Sequence, residues 1–308
     1  MTSGTGTCTV KYDQAGNSNY NAATQVTESV TAQKANQTIT FDPLSDKTYG
    51  DPNFSVGATA NSGLAVSFGS QTLSTCTVSG STVHIVAAGT CTIRASQSGD
   101  SNYNAATNVD QSFNIAKANA TVSLSNLSHT YDGTPKSATA TTTPPGLSVD
   151  ITYDGSATAP TDAGDYAVVA TINDANYQGS ANGTLHIGKA NADCSSILGG
   201  TFPYDNNAHG ASGTCSGIGG ESAGTLDLGD SFTDVDGGTA HWTFTGNGNY
   251  NDDEGDVEIV ITPVDATCVI SGGTFPYDAA PHGATGICTG IGGEDAGDLN
   301  LGDSFTDV

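Results

Sequence analysis

Short apolar runs that alternate with polar residues dominate the chain, and they predict β-strands. In "TCTIRAS" at 90–96 and "STVHIV" at 81–86 alternate residues are apolar, which is typical of a strand with one buried face. Gly, Asn, Asp and Pro separate these runs, and no stretch shows a sustained apolar period of 3.6 residues. The pattern predicts an all-β protein in which helix does not dominate.

Two tyrosines recur at a nearly fixed interval. The early tyrosines, which follow the first strand of each unit at intervals of 82, 73 and 73 residues, are Tyr49, Tyr131, Tyr204 and Tyr277. The late tyrosines, which lie near the end of each unit at intervals of 83, 74 and 73 residues, are Tyr20, Tyr103, Tyr177 and Tyr250. The block "GNSNYNAATQVTESVTAQKAN" at 16–36 also returns at 99–119 as "GDSNYNAATNVDQSFNIAKAN". Such self-similarity indicates tandem copies of one structural unit.

The markers divide the chain into five segments. We expect the C-terminal part of a truncated repeat at 1–35, β-sandwich repeats at 36–118 and 119–190, an acidic β-sandwich repeat at 191–265, and the N-terminal part of a truncated acidic repeat at 266–308. Each complete segment has a length that suits a small sandwich, and the links between segments are short. The predicted fold class is therefore all-β, with tandem immunoglobulin-like β-sandwich domains in an elongated array. The last segment should expose its apolar face, because its sequence stops before the final strands of the preceding copy.

Charge is sparse and unevenly distributed. The net charge is −25, with 13 acidic and 7 basic residues at 1–190 but 19 acidic and no basic residues at 191–308. Such a surface repels nucleic acid and anionic membranes, so we expect neither as a partner. No run of 18 apolar residues occurs, which predicts no membrane span in these residues.

The seven cysteines fall into pairs when they are assigned to their segments. We expect disulfides between Cys76 and Cys91, between Cys194 and Cys215, and between Cys268 and Cys288, while the partner of Cys8 would precede residue 1. A disulfide that closes a loop of this length adds about 3 kcal/mol to the stability of the fold. Such bonds suit a protein outside the reducing cytosol. Because the pairs occupy different places along their segments, we expect local staples and not an inter-sheet bond. The alternative is that these residues are small buried thiols.

Few residues in the sequence indicate catalysis or ligand binding. Clustered hard oxygens make calcium the one cofactor considered, with weak candidates at Asp234, Asp236, Asp252, Asp253 and Asp256, but the spacing is not that of an EF-hand and a solvated acidic edge is the alternative. His209 and His282 recur at equivalent positions and are predicted to be turn residues. "GIGGE" at 217–221 and 290–294 is predicted to be a turn. No Ser, His and Asp set stands out, so we expect no enzyme.

The recurring tyrosines also have two interpretations. They stack on sugars, or they pack a loop against the sandwich, and we favour packing. The predicted structural residues are Tyr49, Tyr131, Tyr204, Tyr277, Tyr103, Tyr177 and Tyr250.

Two stretches carry a resemblance to a known family. "KTYGDPNFSVGATANSGLAVSF" at 47–68 and "HTYDGTPKSATATT" at 129–142 resemble the mostly-β, glycine-rich (MBG) domains of the YGX and YDG types. The resemblance is close over 36–190 and looser over 191–308. It implies an immunoglobulin-like sandwich and no catalytic residues.

The resemblance also implies a role in large bacterial surface and secreted proteins. We expect a structural spacer or stalk of an extracellular, adhesin-like protein at the bacterial cell surface, with neighbouring repeats of the same chain as partners. The alternative is an adhesive module that binds glycans or host or cell-surface proteins, with calcium as its cofactor.

Overall fold

Strands and turns make up the described chain. The computed structural model describes residues 3–306, and within that range the only helical element is a single 3-10 turn at Ile218–Gly220. The terminal residues of the two predicted truncated segments, 1–2 and 307–308, lie outside the described residues. The absence of α-helix from 3–306 follows from the sequence, since glycine and β-branched residues interrupt or disfavour helices.

The strands are short and follow one another closely. Up to residue 118 the described strands are β1 (Gly6–Tyr12), β2 (Val26–Ala32), β3 (Ile39–Phe41), β4 (Lys47–Thr48), β5 (Phe54–Ser55), β6 (Ala58–Ala60), β7 (Ser67–Ser70), β8 (Cys76–Ser79), β9 (Thr82–Ile85), β10 (Gly89–Ser96) and β11 (Val109–Ala116). The strands that follow, up to Gly188, are β12 (Ala118–Asn119), β13 (Thr121–Ser125), β14 (Ser128–Thr130), β15 (Thr139–Thr143), β16 (Val149–Tyr153), β17 (Gly164–Ile172), β18 (Tyr177–Gln178) and β19 (Ser180–Gly188). The remaining described strands are β20 (Gly200–Pro203), β21 (His209–Gly210), β22 (Gly224–Asp227), β23 (Ser231–Phe232), β24 (Gly238–Gly246), β25 (Asp253–Thr262), β26 (Thr267–Ser271) and β27 (Thr285–Thr289).

The chain forms two compact units. Unit 1 contains the chain up to Ser125 together with Ala138–Ala157 and Val168–Gly183, and unit 2 contains Asn126–Ser137, Thr158–Ala167 and the chain from Thr184 onward. Strands β17 and β19 run through both units. The division therefore does not follow the predicted segment boundaries, which stay a prediction.

In unit 1, residues 36–118 build a sandwich of small sheets. A four-stranded sheet has the order β4-β11-β10-β7, and a three-stranded sheet has the order β5-β9-β8. Alternate residues of β10 and β11 point into one core, which also receives residues from β3, β8 and β9. The fully buried or nearly fully buried residues of the longest strands are Cys91, Ile93, Ala95, Phe113 and Ile115. The all-β part of the predicted fold class is confirmed for the described residues.

The first disulfide corrects one expectation. Cys76 lies on β8 of the three-stranded sheet and Cys91 lies on β10 of the four-stranded sheet, and the two residues are bonded with both side chains fully buried. This bond therefore joins the two sheets of the sandwich, and the prediction of a purely local staple was wrong for this pair. Sequence position misled because residues only 15 apart lie on opposite sheets.

The strands of 119–190 divide between the units. The four-stranded sheet has the order β14-β19-β17-β16, and β13 pairs with β15. In unit 1, Tyr153 is buried and its hydroxyl accepts a hydrogen bond from the Ala138 amide at 2.9 Å. In unit 2, Ser128–Thr130 pairs in parallel with the end of β19.

In unit 2, residues 191–262 build another sheet around a long hairpin. Its order is β20-β25-β24-β22, in which β24 and β25 are antiparallel and β20 runs parallel to β25. The inward residues of the hairpin are buried: Ala240, Trp242, Phe244, Ile259 and Ile261. Cys194 and Cys215 are bonded at a Cα–Cα distance of 4.1 Å, next to the bridge between Asp193 and Ser216, so this disulfide is a local staple.

Two further hairpins have exposed apolar faces. In unit 1, β1 pairs with β2, and every residue of β1 is exposed. In unit 2, β26 pairs with β27, and the disulfide between Cys268 and Cys288 joins directly opposed residues of the two strands. Cys8 is free and exposed.

Replacement of Cys76 and Cys91 by Ala should destabilise the sandwich at 36–118. A disulfide that closes a loop of 15 residues stabilises by about 3 kcal/mol, so the calorimetric transition of this segment should shift to lower temperature. Replacement of the free Cys8 by Ser is the matched control and should leave that transition in place. An unchanged transition in the Cys76→Ala, Cys91→Ala variant would contradict the stabilising role of the bond.

Candidate functional site: the tyrosine joints

Three of the four early tyrosines lie beside the link that leaves their segment. The Tyr49 amide donates to the Ala116 carbonyl at 2.9 Å, where β11 ends. The Tyr131 amide donates in the same way to Gly188 at 2.8 Å, at the end of β19. Tyr204 repeats the arrangement with Thr262 at 2.9 Å. The early tyrosine is therefore held at the exit of its predicted repeat.

Three of the four late tyrosines lie beside the link that enters their segment. Ala118 and Tyr177 form a parallel pair, and Ala190 and Tyr250 form a parallel bridge. Ala35 and Tyr103 repeat this bridge at the start of 36–118. A late tyrosine and the early tyrosine of the preceding segment are thus both tied to one short link.

The rings of an early and a late tyrosine meet beside two of the links between segments. Each such place, formed by the link and the two rings, is a joint. In unit 1, Tyr49 and Tyr177 have ring centroids 5.4 Å apart and planes at 82°. In unit 2, Tyr131 and Tyr250 are 5.6 Å apart at 79°. Edge-to-face geometry places the positive edge of one ring against the negative face of the other and adds about 0.5–1.5 kcal/mol beyond burial. The two sequence markers are therefore the two halves of one contact.

An asparagine before each late tyrosine clamps a loop of the preceding segment. Asn176 Oδ1 accepts from the Ala88 amide at 2.9 Å in unit 1, and Asn249 Oδ1 accepts from the Ala163 amide at 2.8 Å in unit 2. These amides lie in loops, where a side-chain acceptor takes the place of a strand partner. These asparagines are not among the residues predicted from the sequence, although "NY" recurs in four of the five segments.

A lysine in each link completes the joint. Lys117 Nζ donates to the Asp174 carbonyl at 2.6 Å in unit 1, and Lys189 Nζ donates to the Asn247 carbonyl at 3.0 Å in unit 2. The same Lys-Ala-Asn sequence precedes both joints, at 117–119 and 189–191. Each link therefore forms hydrogen bonds through its backbone and through its lysine side chain.

Glu221 adds a polar centre to the second joint. Its Oε1 accepts from the Tyr131 hydroxyl at 2.9 Å and from the Tyr250 hydroxyl at 2.5 Å, and the Ile218 amide donates to the Tyr250 hydroxyl at 2.6 Å. Tyr131 and Tyr250 are both buried. Glu221 closes the "GIGGE" turn, which sequence analysis identified as a turn without assigning a role to its carboxylate.

This arrangement raises the pKa of both phenols. The hydrogen bond that Tyr131 donates to Glu221, followed by burial, raises the pKa of Tyr131 to about 12. Burial, followed by the hydrogen bond to Glu221, raises the pKa of Tyr250 above its ordinary value. In both cases the charged phenolate would lie next to the Glu221 carboxylate, so the neutral form is favoured.

Family comparison places a known domain between the two joints. Residues 120–191 match the family described as MBG domain. This part of the chain is similar to MBG domains. It contributes Tyr177 to the first joint and Tyr131 to the second, so the two joints are the entry and the exit of the MBG domain.

Other comparisons add little. No curated protein sequence matches the chain. Solved structures with some similarity are the immunoglobulin domains 1–5 of Sidekick-1 (8% identity, TM-score 0.32, covering 74% of this chain and 59% of that chain), Drosophila N-cadherin EC1-4 (10%, 0.22, 84% and 83%) and domains 1–6 of the surface layer protein SbsC (13%, 0.19, 95% and 49%). The chain spans less than two thirds of the Sidekick-1 and SbsC structures. TM-scores this low carry no argument about function.

The remaining tyrosines around the MBG domain differ in exposure. Tyr103 and Tyr204 are half-buried, whereas Tyr277 is 72% exposed. Their packing role stays a prediction.

Three of the five acidic candidates accept hydrogen bonds through their side chains, and the other two contribute backbone groups. Asp252 accepts from the Gly246 amide at 2.9 Å, and Asp256 contacts His241 Nδ1 at 2.8 Å, a hydrogen bond that raises the pKa of His241. Asp253 accepts from the amide of Glu254. The Asp234 carbonyl accepts from the Gly237 amide in the turn before β24, and the Asp236 amide donates to the Ile261 carbonyl on β25. Among residues 3–306, no three His, Cys, Asp or Glu side chains are grouped so that they could hold a metal ion.

The two recurring histidines sit on aromatic rings. His209 stacks on Phe202 at 4.3 Å and bonds Asp205, and His282 stacks on Phe275 at 4.3 Å and bonds Asp278.

No helix among the described residues is long and apolar enough to cross a bilayer.

A double-mutant cycle should reveal the contact at the first joint. Tyr49→Leu and Tyr177→Leu should each lower the free energy of unfolding, and their effects should fail to add by about 0.5–1.5 kcal/mol, because each change removes the same ring contact. Denaturant unfolding measures these values. The control pair is Tyr49 and Tyr103, which flank opposite ends of β11 and should be additive. Additive effects for Tyr49 and Tyr177 would rule out a significant ring contact.

Alkaline pH should weaken the second joint through its phenols. The folded pKa of Tyr131 is raised above the unfolded value of 10.0, so its contribution is present below pH 10 and is lost as the pH rises through about 12. Denaturant titrations across this range should therefore show falling stability. Glu221→Gln should flatten this decline, because it removes the adjacent negative charge. The matched control is Glu258→Gln, an exposed residue on β25, and an equal effect of both changes would contradict the assignment.

Proposed function

We propose that the chain is a structural spacer in a large bacterial extracellular or cell-surface protein. Its repeats hold another part of that protein at a distance from the cell. The observation that carries this proposal is the repetition of one joint: the same tyrosine pair, asparagine clamp and lysine contact occur at both ends of the MBG domain.

A joint of this kind suits a mechanical role. Its contacts connect a link, a loop and two rings, so bending at the joint must break several interactions together. A flexible tether between binding modules would instead have a Gly/Ser-rich link with few contacts. The joints use only side chains and backbone of this chain, which makes neighbouring repeats the partners that the proposal requires.

The disulfides support an extracellular location. Three bonds are present among the described residues, and such bonds persist in oxidising compartments and are rare in the cytosol. The large negative charge keeps a long repetitive chain soluble. No catalytic role is part of this proposal.

Loosening of both clamps should make the chain more flexible. In the variant with Asn176→Ala and Asn249→Ala, the amides of Ala88 and Ala163 lose their acceptors and should exchange hydrogen faster. Small-angle X-ray scattering should show a broader distribution of maximum dimension. The matched control replaces the exposed Asn53 and Asn182 by Ala.

An unchanged scattering profile in the clamp variant would count against a joint-based spacer. A glycan array, probed with and without chelator, tests the adhesive alternative at the same time. The spacer proposal expects no binding in either condition, and chelator-sensitive binding would replace it with a calcium-dependent adhesive module.

A further inference from the structure

The turn that leads to Tyr250 begins with an asparagine followed by a glycine, Asn247 and Gly248. The Tyr250 amide donates to the Asn247 carbonyl at 3.4 Å, which closes the turn. The equivalent turns of the two preceding segments begin with Asp100 and Asp174, whose side chains accept from the amides that follow them. The second joint therefore has a side-chain amide where these two turns have a carboxylate.

The structure does not require a glycine at position 248. A Cβ added to Gly248 would meet no atom within 4 Å, and the backbone there does not have the positive φ that favours glycine. The equivalent residues of the two preceding segments are Ser101 and Ala175, so a side chain fits at this position. The effect of the glycine is instead on Asn247, because the missing side chain removes a steric barrier to attack by the Gly248 nitrogen.

The Gly248 amide is available as a nucleophile. Among the described residues it donates a hydrogen bond to no other protein atom, and both Asn247 and Gly248 are exposed to water. The carbonyl bonded to this nitrogen, that of Asn247, accepts from Lys189 Nζ at 3.0 Å. A cation at the carbonyl oxygen withdraws electron density from the peptide group and favours the deprotonated form of its nitrogen. Lys189 therefore promotes attack by the Gly248 nitrogen.

The side chain of Asn247 is held as an electrophile. Its Oδ1 accepts from the Asn249 amide at 2.8 Å, and its Nδ2 donates to the Ser222 carbonyl at 3.0 Å. The first hydrogen bond polarises the side-chain carbonyl and stabilises negative charge that develops on its oxygen. The second fixes the orientation of the amide group. The electrophilic carbon thus lies one peptide group away from an available nitrogen, with a donor already placed at its oxygen.

From these contacts we infer that Asn247 is a site of spontaneous deamidation. The Gly248 nitrogen loses its proton to water and forms a bond with Cγ of Asn247. The bond between Cγ and Nδ2 breaks, and the departing nitrogen takes a proton from water and leaves as ammonia. Water then opens the resulting cyclic succinimide. Opening at the side-chain carbonyl gives aspartate, and opening at the main-chain carbonyl gives isoaspartate.

The two products should affect the second joint differently. An aspartate reproduces the residue of the equivalent turn at Asp174, where Asn176 still clamps its loop at 2.9 Å. An isoaspartate adds a carbon to the main chain directly before Asn249, so the clamp between Asn249 and the Ala163 amide should be lost. The second joint therefore ages in water, whereas the turn of the first joint has no amide to lose at Asp174.

The chain also contains an internal comparison. Asn182 and Gly183 form the same dipeptide and Asn182 is exposed, but both residues lie in β19, between β14 and β17 of one sheet. Closure of the succinimide ring requires the main chain after the asparagine to leave its extended conformation, which pairing in a sheet opposes. We expect Asn182 to react more slowly than Asn247.

Incubation of the full chain in mildly alkaline buffer made with water enriched in heavy oxygen tests this inference. Peptide mapping by mass spectrometry should show loss of ammonia and uptake of a heavy oxygen at Asn247 at least several-fold faster than at Asn182, with isoaspartate among the products. Gly248→Ala, which fits without a clash, should slow the reaction at Asn247 by a similar factor. Equal rates at the two asparagines, or an unchanged rate in Gly248→Ala, would overturn the inference.

Hydrogen exchange on the incubated protein tests the consequence for the joint. The Ala163 amide, which Asn249 holds, should exchange faster after deamidation, whereas the Ala88 amide, which Asn176 holds, should not change. The control Asn247→Asp contains the aspartate product without isoaspartate and should keep the Ala163 amide protected. An Ala163 amide that stays protected in the isoaspartate fraction would contradict the ageing of the second joint.

Discussion

A central two-stranded hairpin that buries one apolar face organises each four-stranded sheet of the described chain. In 191–262, β24 and β25 bury Ala240, Trp242, Phe244, Ile259 and Ile261. Full burial of a large apolar side chain stabilises by about 1.5–3 kcal/mol, so this single hairpin outweighs any one hydrogen bond or surface ion pair. The same hairpin also places the late tyrosine at one end and the exit link at the other.

The joints follow from that placement. The end of the final strand holds the early tyrosine through a backbone hydrogen bond, and the loop of the next hairpin holds the late tyrosine beside the link. Both rings are thereby brought to the link without any residue specific to one joint. Glu221 shows how a joint can vary, since it adds a carboxylate acceptor to one copy of a contact that otherwise needs only rings, amides and a lysine.

Disulfides play different parts in different segments. The bond of Cys76 with Cys91 crosses between sheets and lies in the core, whereas Cys268 and Cys288 bond directly across a hairpin whose neighbours are exposed. The chain thus uses cross-links both where the core is well covered and where it is open. Small sandwiches have limited apolar burial, which makes a cross-link an effective supplement.

The sequence by itself determined the all-β fold, the repeat interval, the cysteine pairs and the recurrence of the two tyrosines, because alternation, spacing and identity along the chain report local structure and copying directly. It did not determine that Tyr49 meets Tyr177, that Asn176 and Asn249 hold a neighbouring loop, that Glu221 accepts two phenols, or that Cys76 and Cys91 lie on opposite sheets. Those contacts join residues whose distance along the chain bears no relation to their distance in space. Only the packing of sheets and links in three dimensions decided them.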